Sequence, residues 1–462
     1  MGNLILWLVI GYILVQFAIG VLVSRSIRNE TDYILAGRSL GVGLAGFSVF
    51  ATWFGAETVT GSAGSVFKSG LSGAQGEPFA YAVGIILMGL FVAGRLWRAG
   101  ITTFGDFFRN RFSPTVEVVV AVLLVPGSVL WAAAQIYGFG QIVASVANID
   151  TRTAITIGAV TVVAYTVVGG LLADAWTDVI QGIVIIVGLL MLLFFVLAKA
   201  GGFSAGLAAI EPARWSFMVA DQPWLEFIEQ WAVPICGSLV AVELISRILG
   251  ARSAGVASTA AISGGVLYLL VALIPVVFGL LGPKLLPSLP AEQSEQLVAE
   301  LAKAYLPAVL SAVFIGALIS AILSTVDSAL LAAGSLVSHN ILLRLNPDTS
   351  DRGKVVTTRV TVAVLGATAY VIALAATSIK ELVELASAFA SAGVFVALIF
   401  GLFTRFGGPQ SALAAILAGA VIWGWGRFVF ELKTPYLAGL GAAVLAYVVV
   451  AVLERRDQRL EA

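Results

Sequence analysis

Thr52-Trp53-Phe54-Gly55-Ala56-Glu57-Thr58 interrupts an otherwise apolar stretch that runs from about residue 40 to residue 67. The stretch is long enough to cross hydrocarbon as a helix. Its middle instead brings a glycine, a carboxylate and hydroxyls. Backbone groups freed by such a break cost several kcal/mol in lipid unless protein, water or an ion pairs with them. A second interruption, Trp231-Ala232-Val233-Pro234-Ile235-Cys236-Gly237-Ser238, puts a proline and a glycine into the apolar tract near 227–248, with Glu243 beyond them. Either break alone is equally well read as a packing kink, because Gly and Pro are frequent in membrane helices. Their relative placement decides between the readings, and it depends on the topology of the chain.

The chain is 60% hydrophobic and 11% charged, too few polar residues to cover a soluble globule of 462 residues, so lipid must be the solvent for most of it. Leu4 to Val23, Thr115 to Val146, Val179 to Ala198, Val256 to Leu281 and Leu437 to Leu453 each approach or exceed a span. The first tract has no Lys or Arg before it and no small-x-small pattern after it, which predicts a retained span rather than a leader. Turn and charge clusters predict about thirteen spans, near 3–24, 40–67, 78–97, 115–146, 151–170, 176–199, 227–248, 255–282, 306–340, 355–377, 381–404, 409–427 and 436–454. Residues 287–305, with Leu297, Leu301 and Ala304 at helical spacing, read as an external amphipathic lid or connector.

Alternate loops differ in basic residues, sixteen against nine, and the richer set includes Arg25, Arg28, Arg109, Arg247, Arg344 and Arg455. Basic loops stay cytoplasmic, so the N-terminus is expected outside and the C-terminus inside the cell (plasma or inner) membrane. Setting aside 1–39, the loop at 201–225 and the tail of two helices at 405–462 leaves two blocks of five spans, 40–200 and 226–404. Five is odd, so the blocks have opposite topology, and the two interruptions fall in the first helix of each. Corresponding breaks in inverted repeats mark a binding site near the bilayer midplane.

Ionisable groups at that depth are costly and need partners, which singles out Glu57, Glu243 and Asp327. Ser324, Thr325, Asp327 and Ser328 form the densest polar cluster; Ser324, Asp327 and Ser328 share a helix face, and their oxygens suit a hard cation such as sodium. Taken alone, hydroxyls on a membrane helix more often join helices than bind ions. Asp178 reads either as a helix cap or as a cation ligand facing Asp327. His339 reads as a cation at a helix end, and Cys236 as a small buried residue. Scattered basic residues give no footprint for nucleic acid. No Walker sequence or paired metal-ligand spacing is visible, which disfavours an ATP-driven pump and an enzyme.

Tyr33-Ile-Leu-Ala-Gly-Arg38, Ala51-Thr-Trp53-Phe54-Gly-Ala-Glu57, Tyr165-Thr-Val-Val-Gly169-Gly170, Trp176-Thr-Asp178 and Ser324-Thr325-Val-Asp327-Ser328, in that order, resemble the sodium/solute symporter family. The resemblance implies a LeuT-like fold, all-α and membrane-embedded, with a five-plus-five inverted repeat core. It implies a principal sodium at the carbonyls of Ala51, Phe54 and Ala321 and the hydroxyls of Ser324 and Thr325. A second sodium or a proton is implied at Asp178, Ser324, Asp327 and Ser328. Solute is implied beside the first break at Trp53, Glu57 and Thr58, facing Ser238 and Glu243. Trp53 and Trp131 most resemble choline-transporter-like members, whose tryptophans cage a quaternary ammonium; a further aromatic, expected near Ala241, is missing.

The expectation is therefore a sodium-coupled symporter for a small polar or amine-containing solute, working by alternating access. The rivals are a proton-coupled transporter using Asp178 and Asp327, and a channel or sensor built on a transporter fold.

Overall fold

The computed structural model describes residues 27–147, 149–219 and 222–460, with scattered positions between 11 and 25. The expected first span, near 3–24, lies outside the continuously described residues. The described residues are helical, with one isolated parallel bridge between Leu40 and Ala251. Nine described helices, or ten counting one bent pair, are long and apolar enough to cross a membrane.

The helices that position the site are α1 (Glu30–Leu35), α2 (Val42–Trp53), α3 (Ser62–Ser69), α4 (Tyr81–Leu87), α5 (Phe104–Arg111), α6 (Pro114–Ala147) and α7 (Thr151–Lys199). They continue as α8 (Trp224–Val240), α9 (Val242–Leu249), α10 (Ala254–Leu285), α11 (Ala308–Val337) and α12 (Asp351–Ala375). The last are α13 (Ile379–Ala388), α14 (Ser391–Phe403), α15 (Pro409–Phe428) and α16 (Pro435–Leu460). Helix α11 packs against α6, α7 and α2, while α2 also packs against α10 and α7. Almost every side chain of α11 from Ala317 to Leu336 is buried, so it forms the axis of the bundle. Residues on the outer face of α7, among them Val160, Val187 and Phe194, are exposed, as a lipid-facing surface requires.

The first break stands where the sequence puts it. Helix α2 ends at Trp53, Phe54 takes φ −92° and ψ 68°, and helical turns resume at Glu57. The second is displaced. Helix α8 runs through Pro234 and Gly237 and stops at Ala241 (φ −67°, ψ 116°), where the axis bends by 41° into α9. Proline removes one helical hydrogen bond, to the carbonyl four residues back, and Gln230 there lines a wide cavity where water can serve instead. The chain therefore tolerates Pro234 inside the helix and breaks a full turn later.

Helix α7 has 49 residues, about 74 Å at 1.5 Å per residue. That is more than twice the hydrocarbon thickness. Its helical path is broken at Gly170 (φ 66°, ψ 179°), in the Gly169-Gly170 pair. A Cβ at Gly170 would stand 2.9 Å from the Tyr33 ring, so both conformation and space require glycine there. Asp178 consequently lies eight residues beyond the break and is fully buried, which removes its reading as a helix cap. The segment at 287–305 folds as a 3-10 turn (Ala291–Gln296) and a short helix (Leu297–Tyr305) whose Leu297 and Leu301 are buried against the bundle.

Candidate functional site

Helices α2 and α11 meet at the first break. The Ser324 hydroxyl lies 3.1 Å from the Ala51 carbonyl and 2.7 Å from the Ala321 carbonyl, and Thr325 Oγ1 lies 3.3 Å from the latter. Four of the five residues expected around a principal sodium are thus within one small volume, and Phe54 caps the same helix end. Gly55 keeps the region open. A Cβ there would stand 2.5 Å from Gln135 Oε1, 2.6 Å from Glu57 Oε2 and 2.9 Å from Thr325 Oγ1. Carbonyl and hydroxyl oxygens converging here make a donor set for a small hard cation.

One turn along α11 is a second polar centre. Ser48 donates to Asp178 Oδ2 at 2.5 Å, and Thr52 Oγ1 lies 3.3 Å from Ser328 Oγ. The carboxylates of Asp174, Asp178 and Asp327 each place an oxygen within 4.8 Å of the others, all three buried. Arg247, from α9, enters this cluster. Its Nη2 donates to Asp174 and to Ser328, and stands 3.8 Å from Asp178 Oδ2. The loop-count reading placed Arg247 among cytoplasmic basic residues; the structure buries it completely. Its place four residues after Glu243 in a short amphipathic half-helix was the available signal. Asp174, one turn before Asp178, was missed in the same way.

Four of the six expected solute residues line one or the other of two cavities. Trp53, Trp131 and Glu243 line a small one of about 40 Å³, together with Ser128, Ala241 and Phe389. Ser128 and Glu243 face the same cavity from α6 and α9. The Trp53 and Trp131 rings are 5.3 Å apart, and Tyr81 completes a three-ring cluster at 6.4 and 5.9 Å from them. Tyr81 supplies an aromatic from α4, whereas the sequence comparison sought one at Ala241.

Glu57 instead lines a wide cavity of about 610 Å³ at the end of the bundle bearing Lys380 and Arg427. Gln135 holds Glu57 Oε2 through its amide nitrogen and accepts from the Ala56 N–H through its oxygen at 2.8 Å. Thr58 donates at 2.8 Å to Glu77, which also accepts from Tyr268. Ser238 faces the backbone of Gly84 rather than either cavity, its hydroxyl 2.9 Å from where a Cβ would stand.

At the opposite end, α5 is clamped to the end of α11. Asn340 donates to Asp106 (3.1 Å) and Glu117 (2.7 Å), Arg344 contacts both, and Thr103 donates to Asn340 at 2.6 Å. His339 lies 2.8 Å from Glu30 and 3.3 Å from Asp106. Burial alone would raise the Asp106 carboxyl, but His339 and the N–H groups of Thr103 and Thr102 outweigh that and hold it at about 2.

A model of the sodium:solute symporter family matches residues 33–419. The chain belongs to that family. Membership makes it a transporter rather than an enzyme, with sodium as coupling ion and a small molecule as cargo. It is 26% identical over 410 residues to the human high affinity choline transporter 1, covering 86% of this chain and 70% of that protein. It is also 26% identical over 480 residues to the sodium/proline symporter of Haemophilus influenzae, covering 97% and 94%. Among solved structures, a sodium-coupled sialic acid symporter in a substrate-bound outward-open state aligns with TM-score 0.85 at 19% identity, covering 98% of this chain and 97% of that one. A nucleobase-cation-symport-1 family transporter in a closed conformation aligns at 0.65 with 15% identity, covering 93% and 96%. At those identities the structures speak for the shared LeuT-like fold.

Proposed function

We propose that this family member imports a small amine-bearing solute with sodium by alternating access, using thirteen spans in a five-plus-five inverted repeat. The N-terminus is outside and the C-terminus inside the plasma (inner) membrane. The observation that carries the reading is the approach of Ser324 to the Ala51 carbonyl across the first break. Sodium held by Ala51, Phe54, Ala321, Ser324 and Thr325 fastens α2 to α11 and favours the outward-open state. Coupling requires that it bind this state better than the inward-facing one.

The solute reading is supported by Glu243 and the three rings of Trp53, Trp131 and Tyr81. An anionic carboxylate and aromatic faces both favour a positively charged nitrogen. Choline and proline, named for two relatives, each carry one. The small cavity of about 40 Å³ is too small for either, so the side chains around it must part when solute enters. Glu57 and Glu77 lie on the approach, lining the wide cavity.

The test is a thermal-shift screen of purified protein with amines, amino acids, sugars and carboxylates, in sodium and in potassium, followed by uptake into proteoliposomes. Stabilisation by an amine that requires sodium, with uptake driven by a sodium gradient, is the expected result. Uptake driven by a pH gradient without sodium would replace this reading with the proton-coupled one. Solute-independent current would point to a channel.

A further inference from the structure

The buried carboxyl groups fall into sets. Asp174, Asp178 and Asp327 gather beside Arg247, and Asp106 and Glu117 pair with Arg344. The buried Glu57 and Glu243 form no ion pair with a Lys or Arg among the described residues, and neither does the half-buried Glu77. A buried carboxylate without a cation is costly, so these groups are completed by a proton or by a cation from outside. They stand on two sides of one ring. Glu57 and Glu77 line the wide cavity, and Glu243 lines the small one. Tyr81 also lines the wide cavity, while its ring lies against Trp53 and Trp131 and its hydroxyl stands 2.5 Å from Ser387 Oγ. Trp53, Trp131 and Ser387 all line the small cavity, so the two adjoin at Tyr81. On the wide side, Gln135 holds Glu57 Oε2, and Glu57, 3% exposed, keeps a buried Oε1 without a hydrogen-bond partner. Thr58 and Tyr268 both meet Glu77 at Oε1. The wall of the wide cavity carries six glutamates against Lys380, Arg427 and Lys433, and both lysines are already paired, with Glu384 and Glu226. One positive charge on a solute answers one side of Tyr81 and leaves the other unanswered.

We propose that the cargo is a linear diamine: one ammonium meets Glu243 among the three rings, the other meets Glu57 and Glu77, and the apolar chain between them passes Tyr81. The inference rests on the amine reading of the solute and sharpens it to a dication. An ammonium has three N–H donors, enough for the free Glu57 Oε1 and for Glu77 together. The rings of Trp53, Trp131 and Tyr81 suit both a cationic end and a run of methylenes. A proton that neutralises a carboxyl of the empty site leaves to water as the ammonium arrives, and the ammonium keeps its own protons. Tyr81 must turn away from Ser387 to join the cavities, which is the parting of side chains that the small cavity requires.

Isothermal titration of the purified full chain in sodium buffer tests this, with putrescine, cadaverine and longer α,ω-diaminoalkanes each set against the n-alkylamine of the same carbon number. The best diamine is expected to bind ~10-fold or more tightly than its monoamine, the usual worth of a hydrogen bond to a charged group. That advantage should peak at one chain length, because the carboxylates are fixed in the fold. Glu77→Gln, at a half-buried position, should shrink it, and so should Glu57→Gln. Monoamines that bind as tightly as diamines would overturn the inference and leave the amine reading standing. An advantage equal at every length, or undiminished in a folded Glu77→Gln protein, would mean diffuse attraction and would overturn it too. The wild-type length series decides the matter even if neither variant folds. Binding by no amine of either series would instead overturn the amine reading itself.

Discussion

Gly55→Ala adds one methyl group where three oxygens leave no space for it. The new Cβ would stand 2.5 Å from Gln135 Oε1, 2.6 Å from Glu57 Oε2 and 2.9 Å from Thr325 Oγ1. The Gly55 backbone is not in the left-handed region, so alanine meets no conformational penalty and the effect is one of contact. Gln135 cannot retreat cheaply, because its oxygen accepts from Ala56 and its nitrogen donates to Glu57. The relief falls on Thr325, an expected sodium ligand. Overpacking of this kind costs ~1–3 kcal/mol. If that cost is borne by the ion-bound geometry, the sodium midpoint rises ~5- to 150-fold at 1.4 kcal/mol per tenfold. The assay is thermal stabilisation of the purified protein against sodium, with potassium holding ionic strength constant. Gly316→Ala on α11 is the control, since nothing lies within 4 Å of its added Cβ; it should keep the wild-type midpoint. A folded Gly55→Ala protein with that same midpoint would refute the location of the sodium.

Ser324→Ala and Thr325→Ala should each raise the sodium requirement of uptake ~10-fold or more, as removal of an oxygen that contacts a charge costs ~1.5–3 kcal/mol; an unchanged sodium response would remove them from the site. Glu243→Gln should weaken binding of a cationic solute ~10-fold while leaving the sodium midpoint without solute unchanged, read by titrating each ligand in turn. Trp53→Ala should reduce the factor by which sodium raises solute affinity, which linkage makes equal to the factor by which solute raises sodium affinity; a factor unchanged from the wild type would exclude Trp53 from the coupling. The Asp106 carboxyl is held below its ordinary value of 3.8, at about 2. Its contribution to stability is therefore complete above about pH 4 and lost as the pH falls through 2. Asp106→Asn should lower the melting temperature at pH 7 and flatten its fall between pH 4 and 2, checked by melting curves across that range.

Composition and tract length sufficed for the class, because a membrane helix is defined by what a contiguous segment buries. The first break was legible for the same reason: its glycine, carboxylate and hydroxyls are adjacent in the chain. Ser324 and Ser328 were placed on one face by helical spacing alone. The second break was misplaced because its strongest local signals, Pro234 and Gly237, are absorbed within α8, while the turn occurs at Ala241, a residue with no turn preference. The ion cluster was only half visible. Asp178 and Asp327 drew notice as charges in apolar tracts, but Arg247 was assigned to a loop because a basic residue near a span end ordinarily is one. Four helices meet at that cluster, and no local pattern reports such a meeting. Tyr81 was missed likewise, since the ring that completes the aromatic group comes from another helix than the one searched.

The two halves of the proposed site share one rigid lever. Ala51 and Trp53 lie two residues apart on the last turn of α2, so the carbonyl facing Ser324 and the ring facing Trp131 move together. Ion binding at Ala51 would restrain the helix end that carries a wall of the proposed solute cavity, and solute packed against Trp53 would restrain the carbonyl offered to sodium. No wire through the protein is required, only that the last turn of α2 stay helical while the break at Phe54 flexes. The polar contacts of Ser48 with Asp178 and of Thr52 with Ser328 lie further back on the same helix. A tilt of α2 large enough to open the site toward the Arg344 end must therefore break three sets of contacts together, at Ser48, Ala51 and Thr52. Losing all three at once favours a few discrete positions of α2 over a continuous swing, the condition under which a bound ion can select one state of a transporter over another.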